Sequence, residues 1–312
     1  MDDRKLDKRA CSKDMEEVAE VTKFYITGVD PGITAMGVVL LDARTMRLVD
    51  ARPVNILKFI PEKERKKISP TLKTPPAPHA LMSYLQVPDA VIKMVRSRDL
   101  RPFFSLSHGV RGVMVEKQMV PVIRKGTRPV QSPLVHIQTN LQTAMCGRGQ
   151  CSDMKSVRVW NETTQSAAST TRYSQTAAYR KRKSASVKRA PAFFSAGELM
   201  MLRQRAEQHW DAVANASPPN SPYRDSKTLR DKKKKCHEDL IEAAYHARYP
   251  GNWEAIAERI PTSEWPAAMR EIYEEYTAAK LERRRKQQRE AAAKRKRKAE
   301  AGGASAKKKR QK

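Results

Sequence analysis

Four acidic residues stand where they could do chemistry together. Asp30 closes the apolar run Phe24–Val29 and is followed at once by Pro31 and Gly32. Glu116 closes a second apolar run, Val110–Val115. Asp239 and Glu242 are three apart in Cys236-His-Glu-Asp-Leu-Ile-Glu-Ala-Ala, a stretch with helical spacing. That spacing puts both carboxylates on one helix face, with His246 one turn further along. Carboxylates gathered at one point repel each other unless cations neutralise them. Mg²⁺ and Mn²⁺ are hard cations that prefer such oxygen ligands. Two of them about 3.5–4 Å apart can activate a water and stabilise the leaving oxygen of a phosphodiester. Each acid alone has a simpler reading, as a turn aspartate, a solvated strand end or a charged helix face. The joint pattern, in this order on these elements, is what points to a metal site.

These acids need particular elements to position them. Three consecutive strands are predicted at Phe24–Val29, Thr34–Leu41 and Met46–Ala51. Asp42-Ala-Arg-Thr turns between the last two, and Gly32 supplies the dihedral freedom for the first turn. Residues 58–80 are rich in Lys and Pro and read as a loop. Ala90–Arg98, with Val91, Ile92, Met94 and Val95 at helical spacing, reads as a crossover helix. The strand Val110–Val115 follows, then a helix at Leu134–Met145 and a strand at Ser156–Trp160. Later come a helix at Glu198–Ala214, a Pro-rich linker at Ser217–Tyr223 and an alanine-rich helix at Lys233–Tyr249, stopped by Pro250-Gly251. Trp265–Lys298 is a long charged helix pattern. The alanines beside Asp239 and Glu242 let their helix approach a sheet closely. The order predicts an α/β layer architecture with an antiparallel meander opening a mixed sheet. Residues 1–22 read as a disordered charged arm, 23–250 as the main domain with insertions at about 58–80 and 200–230, and 251–312 as a charged helical extension with a basic tail.

The chain has 312 residues and a formal net charge of +28, which calls for a polyanionic partner, nucleic acid being the commonest. Residues 280–312 hold 16 Lys and Arg against 3 Glu, a net of +13, so the remaining +15 belongs to the body. The hydrophobic fraction is 39% and the mean hydropathy −0.70, both low for a fully packed chain of this length. No apolar run is long enough to span a membrane, and the acidic N-terminus is unlike a secretory signal. The four cysteines, Cys11, Cys146, Cys151 and Cys236, form no disulfide framework. Cys146 and Cys151 lack the second pair a zinc site needs and read as ordinary thiols.

Two basic runs flank the acids in sequence. Arg180, Lys181, Arg182 and Lys183 form one, and Lys232, Lys233, Lys234 and Lys235 the other. Both are expected to grip phosphates, which positions a protein on nucleic acid without reading its sequence. Tyr173, Tyr179, Phe193 and Phe194 could stack on opened bases, with core packing the expectation for the two Phe. Near the C-terminus, Lys294, Arg295, Lys296, Arg297 and Lys298 are followed after eight residues by Lys307, Lys308, Lys309 and Arg310. This resembles a bipartite nuclear localisation signal, and also suits a nonspecific DNA-binding tail.

The combination resembles the RNase H-like superfamily and, within it, the RuvC-type Holliday junction resolvases. Gly28-Val-Asp-Pro-Gly-Ile-Thr-Ala-Met-Gly37 looks like that family's first motif. Val113-Met-Val-Glu-Lys-Gln118 is similar to its second. Asp239-Leu-Ile-Glu242-Ala243 looks like its last, where Glu242 stands in place of the usual Asp. The basic cluster Tyr179–Ser184 and the lysines ahead of Asp239 are most similar to the poxvirus-type branch. The resemblance spans roughly residues 23–250. It implies an RNase H-like mixed sheet and a magnesium-dependent, structure-selective endonuclease that acts as a homodimer on branched DNA. It implies Asp30, Glu116, Asp239 and Glu242 as ligands of two Mg²⁺ or Mn²⁺ ions, with no small-molecule cofactor and no membrane partner. Alternatives are a nucleic-acid-binding protein that keeps the fold without the chemistry, and a nuclease for RNA–DNA hybrids. An actin-like kinase would need a second Gly-rich phosphate loop, which 12 glycines in 312 residues do not provide.

Overall fold

In the computed structural model, the apolar runs around Asp30 pair as expected. The structure describes residues 23–32, 35–61, 63, 86–116, 133–146, 151–153 and 183–310. Strand β1 is Tyr25–Asp30, β2 is Met36–Asp42 and β3 is Arg47–Val54. β1–β2 and β2–β3 are antiparallel, which makes the expected meander. Helix α1 (Gln86–Arg96) and the short α2 (Arg101–Phe104) lead to β4 (Val110–Val115), which pairs parallel with β1. Helix α3 (Pro133–Cys146) precedes β5 (Cys151–Asp153), parallel to β4. The sheet order is β3-β2-β1-β4-β5. The strand expected at Ser156–Trp160 falls outside the described residues, as do residues 1–22.

Both faces of the sheet are covered, and strand alternation divides the core in two. Ile26, Val39 and Leu41 point to one side, where they meet α4 (Ala196–Asn215) and α5 (Ser226–Arg248). Val29, Val38 and Leu40 point to the other, onto α1, α2 and α3. Within the segment 200–230, read as an insertion, Leu202, Ala206 and Trp210 of α4 are buried in the first layer. Buried residues also follow the helix stop at 250. Trp253, Ile256 of α6 (Glu254–Ala257), Trp265 and Met269 of α7 (Ala267–Arg310) are buried in that same layer. Indole N–H groups tie the two tryptophans down: Trp253 donates to the Ala247 carbonyl at 2.9 Å and Trp265 to that of Ile260 at 3.1 Å. Two Trp at the head of a charge-rich tail were the signal for this extension.

The outer strand β3 is closed along part of its free edge. Its register against β2 shifts between Leu40 and Leu41, which makes Val49 the extra residue of a bulge and leaves it 51% exposed. The N–H of Leu48 donates to Glu198 Oε1 at 2.8 Å, and that of Ala51 to Asp50 Oδ1 at 2.8 Å. The other oxygen of Glu198 completes a capping box with Ser195 at the start of α4. Burial alone would raise the Glu198 carboxyl. Hydrogen bonds from Leu48 and Ser195, with the charge of Arg248, hold it below its ordinary value instead.

Two glycines let α5 lie on the sheet. A Cβ on Gly28 would sit 1.9 Å from the Ala243 carbonyl oxygen, and one on Gly37 would sit 2.6 Å from that of Asp239. The helix backbone therefore rests directly on β1 and β2. Gly32 works differently from expectation. Among the described glycines, the left-handed φ belongs to Gly109, not Gly32; at Gly32 a Cβ would meet the Ala35 carbonyl at 2.5 Å. It is the tightness of the turn, not its handedness, that excludes a side chain there.

We expect Gly28→Ala to cost about 3 kcal/mol or more, because backbone rather than a movable side chain blocks the new methyl. Gly197→Ala is the matched control: nothing lies within 4 Å of its Cβ position. In α4 it should stabilise by about 0.4–1 kcal/mol. Urea midpoints of the two variants check both signs.

Candidate metal centre

The register of the sheet brings the first two acids side by side. Val29 pairs with Val115 in the parallel β1–β4 ladder, and the Glu116 N–H donates to the Val29 carbonyl at 2.9 Å. Asp30 and Glu116 are thus the next residues out at the same end of adjacent strands. Across the antiparallel ladder Asp30 faces Gly37. Because the Asp239 carbonyl rests over Gly37, the close seating of α5 delivers Asp239 and Glu242 to the strand end that carries Asp30.

Ligand oxygens of Asp30, Glu116 and Glu242 lie within 4.8 Å of one another. Asp30 and Glu242 are buried and Glu116 is half-buried. Asp239 is buried beside them and joins through a shared partner, Lys183. His246 is buried further along α5 and does not enter the converging group. Glu238, its neighbour in sequence, is half-buried and also stays outside it.

Lys183 is the residue whose position differs most from expectation. It is 6% exposed and opens a helical stretch over residues 183–189. Its Nζ lies 3.4 Å from Asp30 and 3.2 Å from Glu242, and it donates a short hydrogen bond to Asp239. It therefore cannot reach the phosphate backbone from the surface, as its place in a basic run implied. Three carboxylates draw the ammonium inward more strongly than water holds it. Its run-mates Arg180, Lys181 and Arg182 lie outside the described residues, as do Tyr173 and Tyr179.

The second basic run also divides. Lys232 is half-buried over the Trp210 ring, 5.8 Å from its centroid, where burial and then the charge of Lys235 lower its affinity for a proton. Lys233 pairs with Asp211 at 2.6 Å. Lys234 and Lys235 are exposed, one turn before the acids. They, of the four, are placed to meet a phosphate near the site. Of the two aromatic residues in α5's packing, Phe194 is buried against Tyr245 at 5.0 Å. Phe193, expected in the core, is 46% exposed and meets the same ring edge-on at 5.6 Å.

The electrostatics show what the site lacks. Burial raises Asp30 well above the ordinary carboxylate range. Lys183 opposes the shift, and the charges of Glu116, Asp239 and Glu242 add to it. Asp239 is raised for the same reasons, with Lys183 and Lys235 pulling it down. Among the described residues, the Lys183 ammonium does not offset the burial of Asp30 and Asp239. The donor set is all oxygen, buried and convergent, and so it fits a hard divalent cation, held by Asp30, Glu116 and Glu242 with Asp239 adjacent.

No protein-family model matches the chain, and no curated protein matches it. Among solved structures it is similar to RuvC of Thermus thermophilus. The two are 14% identical, the match covers 71% of this chain and 95% of that one, and the TM-score is 0.27.

Two outcomes follow from the charge balance. Asp30 and Asp239 bind protons more readily folded than unfolded. Their contribution to stability is present below the unfolded carboxylate pKa of about 3.9 and is lost as pH rises through the raised folded values. The melting temperature of metal-free protein should therefore fall from weakly acid toward neutral pH, and fall less in Asp30→Asn. Second, Lys183→Ala should destabilise the metal-free chain by about 3–5 kcal/mol, the usual cost of breaking a buried pair. Mn²⁺ at 100 times its dissociation constant would return about 2.7 kcal/mol. Thermal melts with and without Mn²⁺ check both.

Proposed function

We propose that the chain is a divalent-metal-dependent endonuclease that acts on branched DNA as a two-fold dimer. The observation that carries the reading is the convergence of Asp30, Glu116 and Glu242 within 4.8 Å at one end of a mixed sheet, on a strongly basic protein. The motif resemblance around these same residues supports it. Divalent ions bound there would supply Lewis acidity toward a phosphate and a water acidified toward neutral pH. The chain's own part is to hold the carboxylates rigidly. Asp30 and Glu116 are fixed by strand pairing, and Asp239 and Glu242 by a helix seated on glycine. Exposed Lys234 and Lys235 hold the phosphate backbone beside the site. Arg283, Arg284 and Arg285, with Lys294 and Arg295, are exposed on α7 and add basic surface. Two symmetric nicks at a four-way junction call for two such sites related by a two-fold axis, hence the homodimer. We assign the C-terminal basic clusters to nuclear localisation, alongside DNA contact.

A second reading is favoured by Lys183. Its ammonium already sits among Asp30, Asp239 and Glu242, which is what a protein that binds nucleic acid without cutting it would use to stabilise the fold.

The test is cleavage of a labelled synthetic four-way junction, beside linear duplex and RNA–DNA hybrid, with Mg²⁺ or Mn²⁺. Symmetric nicks in the junction alone, slowed at least about 100-fold in Glu242→Gln, are expected, since even residues that merely support a ligand are worth 10–100-fold. Tight junction binding with no cut under either ion would establish the second reading. Cutting of the hybrid alone would make that the substrate.

A further inference from the structure

A second site lies at the opposite end of the sheet. A cleft of about 780 Å³ opens where β1 begins, bounded by the residues before β1, the start of β4, the β2–β3 turn and the segment that leads into α7. Strand β1 separates it from the carboxylates; six residues at about 3.3 Å each set the two sites roughly 20 Å apart.

The lining has two characters. Lys23, Arg44 and Arg111 bring three cations from three separate parts of the chain, against one acid, Glu264. Arg44 also meets Asp42, at 3.6 Å, and keeps 47% of its side chain exposed. The floor is apolar, lined by Pro266, Ala267 and Ala268 with the largely buried Phe24 and Trp265, 8% and 3% exposed. The first turn of α7 closes one side, carries no acid and presents only Ala267 and Ala268 there. Trp265 is fixed by its bond to Ile260 and by the Tyr273 ring at 5.0 Å, so the floor is preformed.

We propose that this cleft binds a nucleotide unit, its phosphate between Arg44, Arg111 and Lys23 and its base against the apolar floor. Three considerations single out that chemistry. The volume is that of a site for a small organic ligand, not a flat polyanion track. Cations grouped around an apolar floor match the two halves of a nucleotide, charged and ring-bearing. The chain's net charge of +28 draws nucleic acid in particular. The unit can come from the unpaired end of a strand or from a free nucleotide. The proposal rests on the reading of the chain as a nucleic-acid binder but not on its cutting anything. A strand held here would be anchored about 20 Å from the acids, some six nucleotides of B-form spacing.

The experiment is calorimetric titration of the full chain, without divalent ions, with a 5′-phosphorylated single-stranded tetradeoxynucleotide, a deoxynucleoside monophosphate and inorganic phosphate. Arg44→Glu and Arg111→Glu should each weaken the tetranucleotide at least about 10-fold and flatten its salt dependence. Melting curves would verify that both variants fold. Arg203→Glu, on the exposed face of α4, should bind as the parent does. Equal affinity for tetranucleotide and monophosphate makes the free nucleotide the source; preference for the tetranucleotide makes it a strand. Folded Arg variants that bind like the parent would overturn the proposal. So would an equal loss in Arg203→Glu, or phosphate that binds as tightly as the nucleotides, which would leave the apolar floor without a role. Binding here by a chain that cuts no nucleic acid would defeat the nuclease reading and leave this one standing.

Discussion

The contact on which the rest of the molecule depends is that between the backbone of α5 and the backbones of β1 and β2. Helices normally stand off a sheet by the thickness of two layers of side chains. Here Gly28 and Gly37 remove one layer at two points on adjacent strands, and Ala243 thins the other. The helix can then neither slide nor rotate without driving its carbonyls into the sheet. Since Gly37 is the cross-strand partner of Asp30, the packing contact and the chemical site are fixed by the same pair of residues. Substitutions that look like packing defects would therefore be read out as defects of the carboxylate geometry.

That geometry holds opposing forces in balance. The folded chain gathers four acids, burial favours the neutral forms of Asp30 and Asp239, and among the described residues one buried cation answers them. Lys183 meets three of the four. Its reach links the far side of a long intervening segment to the end of β1. The ammonium and a divalent ion would compete for the same oxygens, so the charge state of the site and the position of the helical stretch that begins at Lys183 are linked.

Much of this was legible in the sequence, and for identifiable reasons. Strands with both faces buried read as continuous apolar runs, so β1, β2 and β4 were found to within two residues. The acids at their ends followed, and the Asp239–Glu242 pair followed from helical spacing. What failed was long-range. Composition places Lys183 with its basic neighbours in sequence, whereas carboxylates remote in the chain decide where it points. The same holds for Lys232 and Lys233, which α4 takes up. The three-residue β5 is too short for any periodic signal. The Pro-Gly stop at 250 ends a helix without ending the core, which Trp253 and Trp265 carry onward.

The free edge of β3 has a consequence for how copies of the chain can meet. A strand with open N–H groups is a template for another strand, and the commonest uncontrolled outcome is sheet growth between molecules. At Leu48 and Ala51 those donors are already engaged by Glu198 and Asp50, and the bulge at Val49 breaks the regular spacing that a further strand would need. Those contacts and the bulge disfavour a continuous intermolecular sheet through this stretch of the edge. Self-association on that flank is left to side chains, whose shape and charge can discriminate between partners in a way that backbone pairing cannot.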